Sequence, residues 1–219
     1  MPQNPKKLLV VEDHPIFRQG LVQLINREAD LKVEAEAATV PEAIEVLKTF
    51  TPDGALIDIS LQGASGLELV KTIREFNSTL PILMLSMHNE EIYAERVLKA
   101  GANGFIMKQS PVEDVISALR HVLGGETYLS KKMTSRIINQ SMGAKSNNAS
   151  PSVQKLTDRE LEVFQLISQG MSTNEIAKTL GLSVKTVDAH RTHIMAKLNV
   201  KNVNELIHTA VQWKYSQAT

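Results

Sequence analysis

The chain has 219 residues, 42% apolar, 22% charged and only 4% aromatic, a composition that excludes disorder and fibre and fits a globular protein. It has no cysteine, which excludes a disulfide framework, a thiolate metal site and a cysteine nucleophile and sets the expectation of a cytoplasmic setting. No run approaches the roughly 20 apolar residues of a membrane span, and residues 1–7 lack the apolar core of a signal peptide. The 24 basic and 24 acidic side chains cancel overall but not locally. Residues 1–139 carry 15 basic against 18 acidic groups, and residues 156–219 carry 7 against 6. Within 183–201, Lys185, Arg191, Lys197 and Lys201 face only Asp188. Such a patch suits a phosphate backbone, and a solvated helix face looks the same on charge alone.

Taken in chain order, the first half alternates short apolar runs with longer amphipathic stretches. Residues 8–11, 33–37, 55–59, 82–85 and 104–107 read as strands, being short, mostly apolar and bounded by turn or cap residues. Residues 15–28, 41–50, 66–76, 90–100 and 112–123 read as helices between them. Pro15, Pro41 and Pro111 stand where a first helical turn tolerates a missing N–H, and Gly101 and Gly124 stand just past helix ends. Five βα units within residues 1–126 predict a flavodoxin-like α/β domain, (βα)5, with a doubly wound parallel sheet. Residues 127–155 read as a linker whose first part, 131–140, is helical and whose remainder, 141–152, is rich in Gly, Ala, Ser, Asn and Pro. From 156 to 219 the pattern is all-α, with helices predicted at 158–169, 173–180, 184–198 and 203–213. Thr157 with Glu160 and Ser172 with Glu175 spell capping boxes at two of their starts.

Ligands of an open α/β sheet collect beyond the carboxyl ends of its strands. There the sequence places Glu12 and Asp13 after strand one, Asp58 at strand three, Ser86 at strand four and Lys108 at strand five. A single strand-end acid is usually a cap or a solvated loop residue, but five polar groups on one rim are not what a core edge ordinarily holds. Carboxylates about 4 Å apart repel by about 4 kcal/mol per pair at a protein surface, so the cluster calls for a cation. All-oxygen donors with room for water and phosphate favour Mg²⁺ over Ca²⁺. Such an ion would let a carboxylate attack phosphorus, with Asp58 the candidate nucleophile, Lys108 pairing a phosphoryl oxygen and Ser86 donating to another. Dinucleotide binding is excluded because Val11 to Pro15 contains no glycine. A hydrolase elbow is excluded because Gly63, Ala64, Ser65 and Gly66 miss the Gly-x-Ser-x-Gly spacing.

In the second half, Gly181, Leu182 and Ser183 join two amphipathic helices by the short turn of a helix-turn-helix, Ser183 serving as cap. Ile176, Ala177, Leu180, Leu182, Val184, Val187, Ile194 and Leu198 form the packing side. A plain helical hairpin explains that apolar pattern equally well, and the charge bias and turn chemistry favour DNA. In the last helix Val203, Leu206, Ile207, Ala210 and Val211 form a stripe of which part closes the domain and the rest is available to pair two copies.

Val-Glu-Asp-His-Pro at 11–15, Leu-Ile-Asp-Ile at 56–59, Leu-Ser at 85–86 and Gly-Phe-Ile-Met-Lys at 104–108 resemble the receiver domain of two-component response regulators. The stretches 156–160, 170–172, 174–177 and 184–191 resemble the LuxR-type four-helix DNA-binding domain, and the pair in this order resembles the NarL/FixJ class. The resemblance implies that Glu12, Asp13, Asp58 and the Ser60 backbone carbonyl hold Mg²⁺, that a sensor histidine kinase phosphorylates Asp58, and that Ser86 and Phe105 form the switch. Taken alone, Phe105 reads equally well as a core aromatic. The resemblance also implies a transcription factor that meets promoter DNA as a homodimer, with RNA polymerase a further partner. Its DNA-contacting set is Lys185, Thr186, Val187, Asp188, Ala189, His190, Arg191, Thr192 and Lys197. Within that set Asp188, Ala189 and Thr192 would face base edges, and Lys185, Thr186, Arg191 and Lys197 would meet phosphates. One departure stands out: receivers usually read Met-Pro where this chain has Leu61-Gln62. Losing the proline frees a backbone N–H and relaxes φ, which bears on loop shape and on the lifetime of the phosphate. Two rivals remain on these residues: a phosphorylation-independent DNA-binding regulator with a structural receiver, and a phosphotransfer enzyme. No second catalytic base or substrate-pocket motif supports the latter.

Overall fold

Five parallel strands in the order β2-β1-β3-β6-β7 form the sheet of the first unit in the computed structural model, which describes residues 4–87, 90–141 and 153–216. Contacts divide the chain into two compact units, residues 1–142 and 143–219.

In the first unit β1 (Lys6–Val11), β3 (Gly54–Asp58) and β6 (Ile82–Ser86) are central, with β2 (Leu31–Ala37) and β7 (Gly104–Met107) at the edges. Leu8 to Val11, Leu56, Ile57 and Ile82 to Leu85 are completely buried. A parallel sheet covered by helices on both faces needs such continuous apolar runs, which is why these strands do not alternate. The flanking helices are α1 (Pro15–Ile25), α2 (Val40–Thr49), α3 (Gly66–Phe76), α4 (Glu90–Ala100) and α5 (Val112–Leu123). On one face α5 lays Val115, Ile116, Leu119 and Val122 against Leu8, Leu56 and Leu83. Each such side chain contributes about 1.5–3 kcal/mol on burial. Proline stands at the start of α1 and within the first turn of α2, but Pro111 is the N-cap of α5 rather than its first helical residue.

Three features differ from the sequence reading. A two-stranded antiparallel hairpin, β4 (Ser60–Leu61) with β5 (Ala64–Ser65), follows Asp58. Strands of two residues carry too little periodicity to be read. Next, α6 (Lys131–Ser141) belongs to the first unit instead of standing apart as linker. Tyr128 bridges to Gly104, the Ser130 N–H donates to Glu90 Oε1 at 2.9 Å, Lys132 pairs with Glu91, and Met133 is buried. These bonds bring the start of α6 to the N-terminal turn of α4. The stretch expected as linker at 141–152 lies, apart from Ser141, outside the described residues. Finally, a 3-10 turn at Val153–Lys155 precedes the second group of helices.

The second unit consists of α7 (Asp158–Ser168), α8 (Thr173–Leu180), α9 (Val184–Leu198) and α10 (Val203–Ser216). Both predicted capping boxes form, each with hydroxyl and carboxylate satisfying the other residue's N–H. Gly181 takes φ 63° at the end of α8, the left-handed turn that glycine makes at no steric cost, and Ser183 Oγ accepts from the Thr186 N–H at 3.0 Å. Arg159 joins α7 to α8 by donating to the Leu180 carbonyl at 2.8 Å while pairing with Glu162. Phe164 and Trp213 meet at 5.4 Å, tying α10 to α7.

Candidate functional site

The rim at the carboxyl ends of the strands is assembled by register. Asp58 is the last residue of β3 and lies opposite Leu85 of β6, while Ser86 ends β6 opposite Met107 of β7, so that Lys108 leaves β7 beside them. Glu12 follows β1, held by its N–H to the Ala37 carbonyl at 3.0 Å. Glu12 and Asp58 are 0% and 1% exposed. Lys108 Nζ reaches both, 2.7 Å from Glu12 Oε2 and 2.8 Å from Asp58 Oδ2, and lies 4.8 Å from the centroid of the Phe17 ring. Removing one partner from such a buried pairing leaves uncompensated charge, so the arrangement stands or falls as a unit.

Burial drives the Asp58 carboxyl up to about 7. Lys108 opposes that shift, Glu12 reinforces it, and burial wins. Burial disfavours the Lys108 cation, but Asp58 and Glu12 outweigh it and hold the ammonium above its ordinary value.

Asp13 and His14 complete the rim. Asp13 Oδ2 accepts from the Gln62 N–H at 3.1 Å, and Asp13 Oδ1 lies 2.8 Å from His14 Nδ1. The His14 N–H donates to Glu12 Oε1 at 3.1 Å. Glu12, Asp13 and His14 bring a ligand atom each within 4.8 Å of one another, a cluster able to hold a cation. Of the three carboxylates, Glu12 and Asp58 share Lys108, and Asp13 lies against His14. The oxygens nearest these neighbours, Glu12 Oε2, Asp13 Oδ1 and Asp58 Oδ2, are buried. The excess of carboxylates in this cluster, with oxygen donors from Glu12 and Asp13, fits a hard divalent cation.

Ser86 is fully buried at its strand end, and Phe105 is buried on β7 opposite Met84. Ser60 lies in the hairpin, paired with Ser65. Several participants escaped the sequence reading. Arg18 donates to the Glu12 carbonyl and pairs with Glu36 at 3.2 Å, and Phe17 stacks on Lys108. A Cβ on Gly66 would lie 1.9 Å from the Asp58 carbonyl oxygen. Position 66 therefore admits only glycine if the chain is to pass so close to the acid. The Pro15 that opens α1 less than one turn before Arg18 was the nearest available signal for the first pair, since a helix starting there returns residues 17 and 18 toward the rim.

In the second unit the helix-turn-helix surface is formed mainly by α9. Lys185, Asp188, Ala189 and Thr192 are exposed, and Thr186, His190 and Arg191 are half-buried. Arg191 donates to Thr173 Oγ1 at the start of α8. One expected DNA contact is corrected. Val187 is 0% exposed and belongs to the helical core, as its place on the packing side requires. Lys197, half-buried, pairs at 2.6 Å with Glu160 Oε2, which also accepts from the Thr157 N–H, so this lysine braces the capping box of α7. Val184, expected on the packing side, is 43% exposed. In α10, Leu206, Ala210 and Trp213 are buried, whereas Val203 and Ile207 are 42% and 40% exposed.

Residues 8–120 match the family model described as response regulator receiver domain, and residues 154–210 match that of bacterial regulatory proteins of the luxR family. The chain is 39% identical over 213 residues to the oxygen regulatory protein NreC of Staphylococcus epidermidis, covering 95% of this chain and 98% of that protein. It is also 39% identical over 212 residues to its counterpart in Staphylococcus carnosus, with the same coverage. Among solved structures it resembles RcsB of Salmonella enterica serovar Typhimurium bound to promoter rprA in the presence of the phosphomimetic BeF3-. That likeness has TM-score 0.61 and 25% identity, covering 94% of this chain and 98% of the other. No described helix is long and apolar enough to cross a membrane.

Proposed function

The chain belongs to the response regulators that join a receiver domain to a LuxR-type DNA-binding domain, and from that membership we propose that Asp58 is its phosphoacceptor and α9 its DNA reader. It is a DNA-binding transcription regulator that works through phosphorylation, not an enzyme. The observation that carries the assignment of Asp58 is the bridge from Lys108 Nζ to Glu12 and Asp58 at 2.7 and 2.8 Å on a buried sheet rim.

A carboxylate oxygen of Asp58 attacks the phosphorus of a phosphohistidine on the kinase. The new O–P bond forms as the N–P bond breaks, and the electron pair leaves with the imidazole. Lys108, already against Asp58 Oδ2, keeps its proton and pairs with a phosphoryl oxygen, and the Ser86 hydroxyl donates to another. Glu12, Asp13, Asp58 and the Ser60 carbonyl are the residues that would hold Mg²⁺, which when bound supplies neutralising charge to the phosphoryl group. An apolar groove of about 540 Å³ between α1 and α5, lined by Ile16, Leu24, Met87 and Val112 among others, reaches His14 and Lys108. It gives the kinase an apolar surface that reaches Lys108, the partner of Asp58.

Drawing Ser86 toward the phosphate repacks Phe105 and displaces the start of α4, where Glu90 and Glu91 hold Ser130 and Lys132. The grip on α6, the segment leading toward the DNA-binding unit, is thereby altered. On α9, exposed Asp188, Ala189 and Thr192 face base edges, and Lys185 and Arg191 meet phosphates. The exposed Val203 and Ile207 edge of α10 pairs two copies, as a DNA reader of two half-sites requires.

Intact mass of the wild type and Asp58→Asn after incubation with a small acyl phosphate and Mg²⁺ tests the assignment. Only the wild type is expected to gain a phosphoryl group. Uptake by both, or by neither, overturns it.

A further inference from the structure

The turn that follows Asp58 has no proline, and the N–H this leaves at Gln62 is used: it donates to Asp13 Oδ2 at 3.1 Å across 49 residues. Leu61 pairs with Ala64, so Gln62 and Gly63 are the two central residues of a tight turn. Gly63 has φ 79°, and Gln62 is not among the residues with positive φ. A turn with left-handed backbone only at its third position is of the type that accepts proline at the second. Proline at 62 is therefore compatible with the turn type, and it would remove the donor.

The bond also divides the labour of the Asp13 carboxylate. With Oδ2 tied to the hairpin, the buried Oδ1 lies 2.8 Å from His14 Nδ1, in the cluster formed with Glu12 and His14. The same hairpin carries Ser60. One backbone amide thus ties Asp13, two residues past β1, to the hairpin that carries Ser60.

We propose that the Gln62 backbone N–H is a positioning group for the cation site, fixing Asp13 so that Oδ1 faces the ion and locking the β4–β5 hairpin against the end of β1. This rests on the reading that Glu12, Asp13 and Asp58 hold Mg²⁺. Partners that orient a ligating carboxylate typically change metal affinity by about 10- to 100-fold when lost.

Calorimetric titration of the full chain with Mg²⁺ tests the proposal on the wild type, Gln62→Pro and Gln62→Ala. The alanine variant keeps the N–H and is expected to bind as the wild type does, while the proline variant binds about 10- to 100-fold more weakly. Amide hydrogen exchange in the metal-free protein supplies a second readout that does not depend on the proline variant folding. The Gln62 amide is expected to exchange slowly in the wild type and rapidly in Asp13→Ala. Gln62→Pro binding Mg²⁺ within twofold of the wild type overturns the proposal and leaves the cation site standing. Equal Gln62 exchange in the wild type and Asp13→Ala overturns it as well. A wild type that takes up no Mg²⁺ removes the cation reading and this inference with it.

Discussion

Replacing Gly66 with alanine is the sharpest test of how closely the chain is folded around Asp58. An added Cβ would stand 1.9 Å from the Asp58 carbonyl oxygen and 2.9 Å from its carbon, against the 3.0 Å inside which real Cβ contacts essentially never fall. The oxygen would have to retreat by about 1.1 Å, taken as the difference between those separations. Because the obstacle is backbone and not the end of a flexible side chain, little of that movement can be absorbed locally. The Gly66 N–H is also bonded to the Ile59 carbonyl at 2.7 Å, which ties the start of α3 to the residue after Asp58. Over-packing of this kind costs about 1–3 kcal/mol, and here the upper end applies. At roughly 2–4 °C per kcal/mol for a protein of this size, the melting temperature falls by up to about 12 °C. A displacement of about 1 Å at the attacking group costs on the order of 100-fold in rate. Gly20→Ala, in the middle of α1 with nothing within 4 Å of the new carbon, is the matched control and should stabilise by about 0.5–1 kcal/mol. Thermal melts by circular dichroism and initial rates of phosphoryl uptake by intact mass would be measured on both. A Gly66→Ala protein that melts and takes up phosphate as the wild type does would refute the reasoning.

Further outcomes follow for the second unit, whose only tryptophan, Trp213, packs on Phe164 and reports on its unfolding by fluorescence. Lys185→Ala should weaken binding to all DNA sequences alike and lower the salt slope by about 1, as loss of a phosphate contact does. Lys197→Ala should instead lower the urea midpoint seen by Trp213 and leave the salt slope unchanged, because Lys197 is paired with Glu160; the opposite pattern would return it to the DNA interface. Burial pushes the Glu160 carboxyl up, but Lys197 and the Thr157 N–H and hydroxyl outweigh it and hold it below its usual 4.5. A depressed acid stabilises the fold above its unfolded pKa and loses that contribution as pH falls through the folded one. The gap in stability between wild type and Glu160→Gln should therefore be widest at neutral pH and narrow below about 4.5. A gap that widens on acidification contradicts the pairing.

Much of the rim was legible because a strand end is a position of known consequence. Once 8–11 and 55–59 read as buried parallel strands, Glu12, Asp13 and Asp58 had to emerge at one edge. The capping boxes were legible for a similar reason, since hydroxyl and carboxylate three residues apart act within a single turn. Val187 shows the limit of that reading. A stretch of eight residues around it matched a DNA-reading pattern, but one position in each turn must face the core, and at Val187 packing wins over membership in the stretch. Lys197 shows another: its charge was plain in the sequence, but Glu160, 37 residues earlier, was not visible as its partner.

Local chemistry, written in strand periodicity, cap residues and strand-end acids, determined that this chain is a doubly wound sheet followed by four helices, with a carboxylate site on one and a helix-turn-helix in the other. Only tertiary structure decided which residues share their charge. Lys108 between Glu12 and Asp58, Gln62 on Asp13, and Glu90 on Ser130 join positions far apart in the chain. Such pairs carry no periodic signal, because they exist only once strands and helices have been brought into register by burial of the apolar faces that the sequence does display.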